Sequence, residues 1–395
     1  MTNITVSTNG HNKKANMETI TEVTPIESTT TATTEEQTQP KKKAKSGRHN
    51  KVANFYLDID AGAKRVKCRL NGVYKAFPST AKKIKGDVPL RTDGAFNYGS
   101  TSYVVGQAID RVNGDVINAS SGNKLTNLDL WIVGAMTHYR KQLKQAIKDK
   151  KRNAESIKIN LYVRILTLST MKRKELDKAV KKIEAFTWED NLFEVDVKSL
   201  EFIEEGQGAA DYICQENPDI ETFHLLDLGG GTFSATTYDW DGDDAAIIAR
   251  TPISGAGMVT VINRIFKALT RVDRGAIQAE NEDIQQALEL SKVTEDGYTV
   301  PLRSNGKTHD IAEEVEGALS EWVSNNYALQ RQFDLISQSL AKGEPVYCSG
   351  GGFAVPIVSN WIVKYLSQDI DNPQIEILPE PQNINLIGMA QIEAK

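Results

Sequence analysis

Asp227-Leu228-Gly229-Gly230-Gly231-Thr232 decides the reading of this chain, because a second glycine turn of the same kind lies far upstream. That partner is Asp58-Ile59-Asp60-Ala61-Gly62-Ala63-Lys64-Arg65-Val66-Lys67. Apolar runs that read as buried strands precede both turns, Asn54–Ile59 before the first and Phe223–Leu228 before the second. Alternating segments follow, Val66–Leu70 and Phe233–Tyr238, so the order is strand, acid, glycine turn, strand, twice over. Glycine lets a backbone turn tightly and come close to a ligand, so that successive N–H groups converge on phosphate oxygens. Aspartates beside such turns are hard oxygen donors suited to a hydrated Mg²⁺. A single turn of this kind is ordinarily no more than a hairpin. Two of them, at the heads of what read as duplicated halves, point to a phosphate cleft. The Walker pattern G-x-x-x-x-G-K-[ST] is absent.

Bulk properties narrow the class. A chain of 395 residues with net charge −5 has room for two or three domains and is not a nucleic-acid glove. Three dispersed cysteines, Cys68, Cys214 and Cys348, fit a reducing compartment better than a disulfide framework. No histidine stands at metal-ligand spacing, no apolar run is long enough for a membrane span, and the N-terminus lacks a signal-peptide core, so the expected location is cytoplasmic. Residues 1–50 read as a disordered tail with a Thr-rich stretch and a basic run, Lys41-Lys42-Lys43-Ala44-Lys45. That run suits DNA, an acidic partner or a membrane surface, and equally a solubilising leader.

Along the body, Asn71-Gly72 marks a hairpin into Val73–Phe77, and Tyr103–Val105 is a short strand. Asn127 is placed to cap one long helix running to Lys148. Ile157–Leu168 reads as a central strand, Lys172–Phe186 as an amphipathic helix, and Phe193–Val197 and Leu200–Ile203 as two short strands. Gly208–Gln215 is expected to be helical, Asp241-Gly242 to close a hairpin, and Val259–Leu269 to form a helix after the Gly-rich Ser254–Gly257. Helical periodicity returns over about 275–340, broken by polar turns at Asp296-Gly297 and Ser304-Asn305-Gly306. Val346–Cys348 is a buried strand running into Ser349-Gly350-Gly351-Gly352, then come a helix, Val355–Leu366, and a closing apolar pair, Ile375–Leu378 and Ile384–Ile387.

In this order, D-x-G…K, a Glu-led helix, D-L-G-G-G-T and a late G-G-G, the chain resembles the actin, heat-shock-chaperone and sugar-kinase ATPase superfamily. The resemblance covers about 53–395, and the run Phe55–Thr80 with Asp-Ala-Gly…Lys…Asn-Gly…Phe-Pro-Ser is similar to bacterial actin-like proteins of the ParM/StbA and Alp type. It implies an α/β, actin-like fold of two duplicated α/β domains with a nucleotide cleft between them. The domains would be 51–220 and 221–395, with smaller subdomains at about 76–126 and 275–340.

The resemblance also implies roles. Asp60 and Asp227 would hold Mg²⁺ through water. Ala61, Gly62 and Ala63, with Gly229, Gly230, Gly231 and Thr232, would grip the phosphates of ATP or GTP from opposite sides. Lys67 would offset the charge that builds on phosphate oxygens during transfer. Glu205, or Gln207 two residues on, would orient the attacking water, and Gly350, Gly351 and Gly352 would receive the adenosine. Ala63 stands where many relatives carry Ser or Thr, and Lys64 follows it. Relatives assemble head-to-tail into filaments, chiefly for plasmid segregation with a DNA-binding adaptor, which makes self-association the expected partnership. A nucleotide-binding scaffold with little hydrolysis is the alternative, and a sugar kinase would need a sugar-binding insertion and an acid base in the first domain, neither of which is seen. Asp58, His224, Cys348, Trp131 and Trp361 read as structural.

Overall fold

The computed structural model describes residues 52–62, 64–85, 92–119, 126–150, 154–167, 173–242, 244–272, 277–295 and 297–392. The tail expected over 1–50, Ala63 and Asp296 lie outside these residues.

The first sheet starts with β1 (Ala53–Ala61), β2 (Arg65–Leu70) and β3 (Val73–Pro78), followed by β4 (Thr80–Ile84), β5 (Ala95–Tyr98), β6 (Thr101–Val105) and β7 (Gly114–Asn118). Helices α1 (Leu128–His138) and α2 (Arg140–Asp149) lead to β8 (Ile157–Thr167); α3 (Arg173–Lys181) and β9 (Ala185–Trp188) lead to β10 (Asn191–Glu204). Strand order is β3-β2-β1-β8-β10-β9-β5-β6-β4-β7. Phe55, Leu57 and Ile59 alternate along β1 into a core shared with α1–α3, where Trp131 is fully buried. The intervening acids meet cations directly opposite in the hairpin register, Asp58 with Arg69 and Asp60 with Lys67. Opposite charges in facing positions favour that register over a one-residue slip.

Helix α4 (Gln207–Glu216) crosses to a second sheet formed by β11 (Thr222–Leu228), β12 (Thr232–Trp240) and β13 (Ala245–Ser254). Then come α5 (Met258–Val272), α6 (Asn281–Glu289), the small hairpins β14 (Lys292–Thr294)/β15 (Gly297–Thr299) and β16 (Pro301–Ser304)/β17 (Lys307–Asp310), and α7 (Ala312–Ser324) and α8 (Tyr327–Ala341). β18 (Val346–Ser349), α9 (Pro356–Leu366), β19 (Ile375–Ile377) and α10 (Ile384–Ile392) finish the fold. The order β13-β12-β11-β18-β19 repeats β3-β2-β1-β8-β10 strand for strand. In both, an antiparallel triple is extended by two parallel strands. A parallel neighbour needs a crossover, and helices supply it in both halves. The second core gathers Phe233, Trp322 and Phe333 in edge-on contacts beneath α5 and α7–α9.

The repeat extends to the helix that ends each half, and these two exchange partners. Ala209, Ala210, Ile213 and Cys214 of α4 pack with Phe223, Leu225 and Tyr238 of the second sheet. Leu386 and Met389 of α10 pack on Leu166 of the first. The helices touch backbone to backbone at glycines: a Cβ on Gly208 would lie 2.0 Å from the Asn385 oxygen, and one on Gly388 would lie 1.7 Å from the Gly208 oxygen.

Several expectations are corrected. The long helix breaks at Tyr139 (φ −94, ψ 60), whose buried hydroxyl donates to the Cys68 carbonyl at 2.8 Å. Asn127 occupies the N-cap position of α1 without a side-chain cap bond. The helix expected to reach Phe186 stops at Lys181, because Phe186 pairs across strands with Phe193 and their rings stack at 5.1 Å. The two short strands after it are one strand, β10, with a bulge between Val197 and Ser199. Ile384–Ile387 opens a helix whose apolar residues face both halves, so its composition shows no one-sided stripe.

Candidate nucleotide site

The β1–β2 turn is braced from behind. Ser79, fully buried, donates its hydroxyl to the Gly62 carbonyl at 2.6 Å and its N–H to the Lys64 carbonyl at 3.0 Å. Gly62 is required by crowding, since a Cβ there would meet the Arg65 oxygen at 2.7 Å. Lys67 reaches Asp60 at 3.2 Å. Burial opposes its charge, but the carboxylates of Asp60 and Asp227 prevail and hold its pKa above the usual lysine value. Asp227 experiences the converse. Burial pushes its pKa above the usual carboxylate range and Asp60 adds to the push, against Lys67, a hydrogen bond from Ser349 and the charge of Arg250. Asp60, Lys67 and Asp227 from the two sheets therefore share one electrostatic site.

The second turn is held by its carbonyls. Met258 N–H donates to Gly229 (3.0 Å), Val259 to Gly230 (2.9 Å) and Gly255 to Gly231 (2.9 Å). Among the described residues no backbone carbonyl accepts from the N–H of Gly230 or Gly231. The three tethers fix the turn's backbone, and those two N–H groups are the donors that it could offer to an anion. The two turns approach each other closely, for a Cβ on Gly230 would lie 2.8 Å from Lys64 Cγ.

Gly350 to Gly352 divide the labour that the sequence reading assigned to them jointly. At Gly350 (φ +92) a Cβ would strike Asp227 Oδ1 at 2.4 Å, and at Gly352 it would strike Leu228 Cγ at 2.3 Å. These two glycines pack the loop onto the end of β11, and Gly351 alone has open space above it.

Glu205 sits at the β10–α4 corner, its N–H donating to the Thr167 carbonyl at 3.1 Å. Gln207 turns elsewhere: its amide donates to Asp211 (3.0 Å) and to the Ala245 carbonyl (3.3 Å). Ala245 lies at the far end of β13 from Ser254, the partner of Thr232, so the structure does not bring the Gln207 amide to the phosphate turns. Asp58 is buried between Arg69 and Arg164, each 2.7 Å away through Nε, and Arg164 also donates to the Met389 carbonyl at 3.1 Å. His224 is enclosed by Thr237 (3.0 Å) and Glu344 (2.8 Å). Cys348 and Trp131 are core, while Trp361 is partly buried and stacks on Tyr365.

Among the described residues no three His, Cys, Asp or Glu side chains converge as a metal-holding group. Mg²⁺ keeps several waters and needs only one or two carboxylates from a protein, so Asp60 and Asp227 suit it. The raised pKa of Asp227 marks a place where further positive charge is favourable. Sequence reading missed Ser79, Arg250, Gly257 and Ser349 as parts of the site. Ser79 within the Phe-Pro-Ser stretch, Gly257 within the Gly-rich stretch and Ser349 at the head of the late glycines carried a local signal, and Arg250 carried none.

Duplicated sheets with paired glycine turns, and two carboxylates beside one lysine, are the architecture of an actin-like fold. No protein-family profile and no curated protein sequence matches the chain. Solved structures do. A non-polymerisable quadruple mutant of pCBH ParM is similar at 15% identity over 86% of this chain and 99% of that one, with a TM-score of 0.60. A ParM from Clostridium botulinum, solved as a 15-stranded filament, gives 14% identity over 87% and 99% and a TM-score of 0.57. An archaeal actin homolog in complex with ADP gives 15% identity over 86% and 99% and a TM-score of 0.55. The fold is thus that of the bacterial and archaeal actin-like proteins. Among the described residues no helix is long and apolar enough to cross a membrane.

Proposed function

We propose that the chain is an actin-like ATPase that binds Mg-ATP in the cleft between its two halves and assembles head-to-tail into nucleotide-dependent filaments. The carrying observation is the meeting of Asp60, Lys67 and Asp227 between the Gly62 and Gly229–Gly231 turns. The halves are taken as 51–220 and 221–395, with subdomains at about 76–126 and 275–340.

Asp60 and Asp227 would hold the hydrated cation, which when bound would supply positive charge against the phosphates. The Gly230 and Gly231 N–H groups would donate to phosphate oxygens, and Lys67 would oppose the charge that builds on them. Glu205 orients the attacking water, and Gly351 receives the nucleoside. Hydrolysis of the phosphoanhydride would then weaken subunit contacts, which are heterologous and non-closing in any filament.

Similarity in fold to a ParM solved as a filament and to an archaeal homolog solved with ADP supports both parts of the reading. Plasmid or DNA segregation is the cellular role most in keeping with it, through a DNA-binding adaptor or the basic run Lys41–Lys45, in the cytoplasm, with ATP or GTP as fuel. The absence of a hydroxyl at Ala63 favours a second reading, a nucleotide-binding scaffold that hydrolyses little. Pelleting and phosphate release with Mg-ATP, for the unaltered chain and Asp227→Ala, test both. Nucleotide-dependent pelleting with phosphate release, both lost in the variant, supports the ATPase. Binding without phosphate release supports the scaffold, and no binding at all rejects both.

A further inference from the structure

The corner that carries Glu205 belongs to the first sheet, yet it is fastened by a side chain from the second. Arg250 lies on β13 with its side chain only 13% exposed. It donates from Nη1 to Glu204 Oε2 at 3.0 Å, from Nη2 to the Glu205 carbonyl at 2.6 Å and from Nε to Thr236 Oγ1 at 3.3 Å. Gly206 follows in a left-handed conformation (φ +92), and a Cβ there would lie 2.8 Å from the Tyr238 hydroxyl and 3.8 Å from Arg250 Nη2. The corner is therefore pressed against β12 and β13. The peptide groups of Glu205 are gripped from two sides, its N–H by Thr167 of the first sheet and its carbonyl by a cation of the second.

The strand that bears Arg250 also braces the second phosphate turn, which joins β11 to β12. Ser254 pairs with Thr232 in the β12–β13 ladder, and Gly255 N–H holds the Gly231 carbonyl at 2.9 Å. One antiparallel hairpin thus connects the Gly229–Thr232 turn to the guanidinium that sets the Glu205 corner. We propose that Arg250 is a positioning residue: through the Glu205 carbonyl and the Glu204 carboxylate it fixes the orientation of Glu205 relative to the Gly229–Thr232 turn. This rests on the reading above, in which Glu205 orients the attacking water. A planar fork is suited to this task, because it meets a carbonyl, a carboxylate and a hydroxyl at once. A lysine would keep the charge but not those simultaneous directions.

The test uses the full chain with Mg-ATP, steady-state phosphate release, and direct titration of a fluorescent ATP analogue. The variants are Arg250→Lys, Arg250→Gln, Glu205→Gln and the double variant Glu205→Gln/Arg250→Lys. A misplaced orienting group lowers turnover and leaves ground-state binding alone. Arg250→Lys is therefore expected to lower kcat about 10- to 100-fold, with KM and nucleotide Kd within about twofold. On the Glu205→Gln background the same change should add less than about twofold, because a residue acting through Glu205 has nothing left to position. Wild-type kcat in both Arg250 variants, or losses that multiply with Glu205→Gln, overturn the clamp. Parallel loss of kcat and nucleotide affinity in Arg250→Lys also overturns it, in favour of a merely structural role. A Glu205→Gln chain as active as the unaltered one removes the underlying reading and the clamp with it. An inactive Glu205→Gln chain beside unaffected Arg250 variants removes the clamp alone.

Discussion

Replacing Gly257 with alanine would drive one methyl group into the wall behind the second phosphate turn. The new Cβ would stand 2.4 Å from Thr232 N, 2.5 Å from Gly231 C and 2.6 Å from Gly230 C. Ordinary contact begins near 3.4 Å. Either the turn or the start of α5 must therefore withdraw by roughly 1 Å. Withdrawal stretches the three bonds that tether the turn, Met258–Gly229, Val259–Gly230 and Gly255–Gly231, now 2.9 to 3.0 Å. At about 1 kcal/mol net for each, their loss costs about 3 kcal/mol. Reduced freedom of the unfolded chain returns at most about 1 kcal/mol, so the variant should be less stable by about 2 kcal/mol. Backbone strain is no part of the cost, because Gly257 does not occupy the left-handed region.

The assay is urea unfolding followed by tryptophan fluorescence, with titration of a fluorescent ATP analogue on the same preparations. Affinity should fall by at least about 10-fold, since the N–H groups of Gly230 and Gly231 move with their tethered carbonyls. Gly317→Ala is the control. It lies within α7 with nothing inside 4 Å of its added Cβ, and should raise stability by about 0.5–1 kcal/mol. Should Gly257→Ala match the unaltered chain in both stability and nucleotide affinity, the packing of α5 behind the turn is not what orients it.

Acid should weaken the fold through His138, which stacks on Phe77 at 4.1 Å. Burial first, and the charge of Lys75 second, push its pKa down from 6.5 to about 4. The unfolded chain takes up this proton before the folded one does, so stability from this source is complete above pH 6.5 and falls as pH drops toward 4. The loss at the lower limit is roughly 3 kcal/mol. His138→Phe, which keeps the stack, should flatten the slope of unfolding free energy across that range; an unaltered slope would refute the assignment. Gly388→Ala should separate α4 from α10, given a Cβ only 1.7 Å from the Gly208 oxygen. Overpacking of about 1–3 kcal/mol and faster proteolysis near the C-terminus are expected, and protection equal to the unaltered chain would count against the crossing.

Much of the fold was legible because its determinants are local. The two D-x-G turns lie between apolar runs that match β1, β2, β11 and β12, and the seven-residue step from Asp60 to Lys67 follows from pairing across a short hairpin. The failures have partners beyond the local pattern. Tyr139 interrupts a continuous helical pattern because its hydroxyl is claimed by Cys68, 71 residues away. Phe186 leaves a helical pattern because Phe193 offers a cross-strand partner. The apolar run of α10 has no readable face because it is buried from two sides.

The sequence by itself determined the chemistry that recurs at short spacing: the acids at the ends of β1 and β11, the glycines that follow them, and the lysine opposite Asp60. Only the tertiary structure decided which groups act on these. Asp227 meets Lys67 and Asp60 because the glycine turns of two sheets that share one five-strand order come together. Gln207 was separated from Glu205 by the direction of one amide, toward Ala245 and Asp211. Arg250, Ser79 and Gly257 entered the site through contacts with backbone carbonyls and amides. Every residue carries the same peptide group, so a partner chosen through the backbone leaves no mark on the residue that it holds.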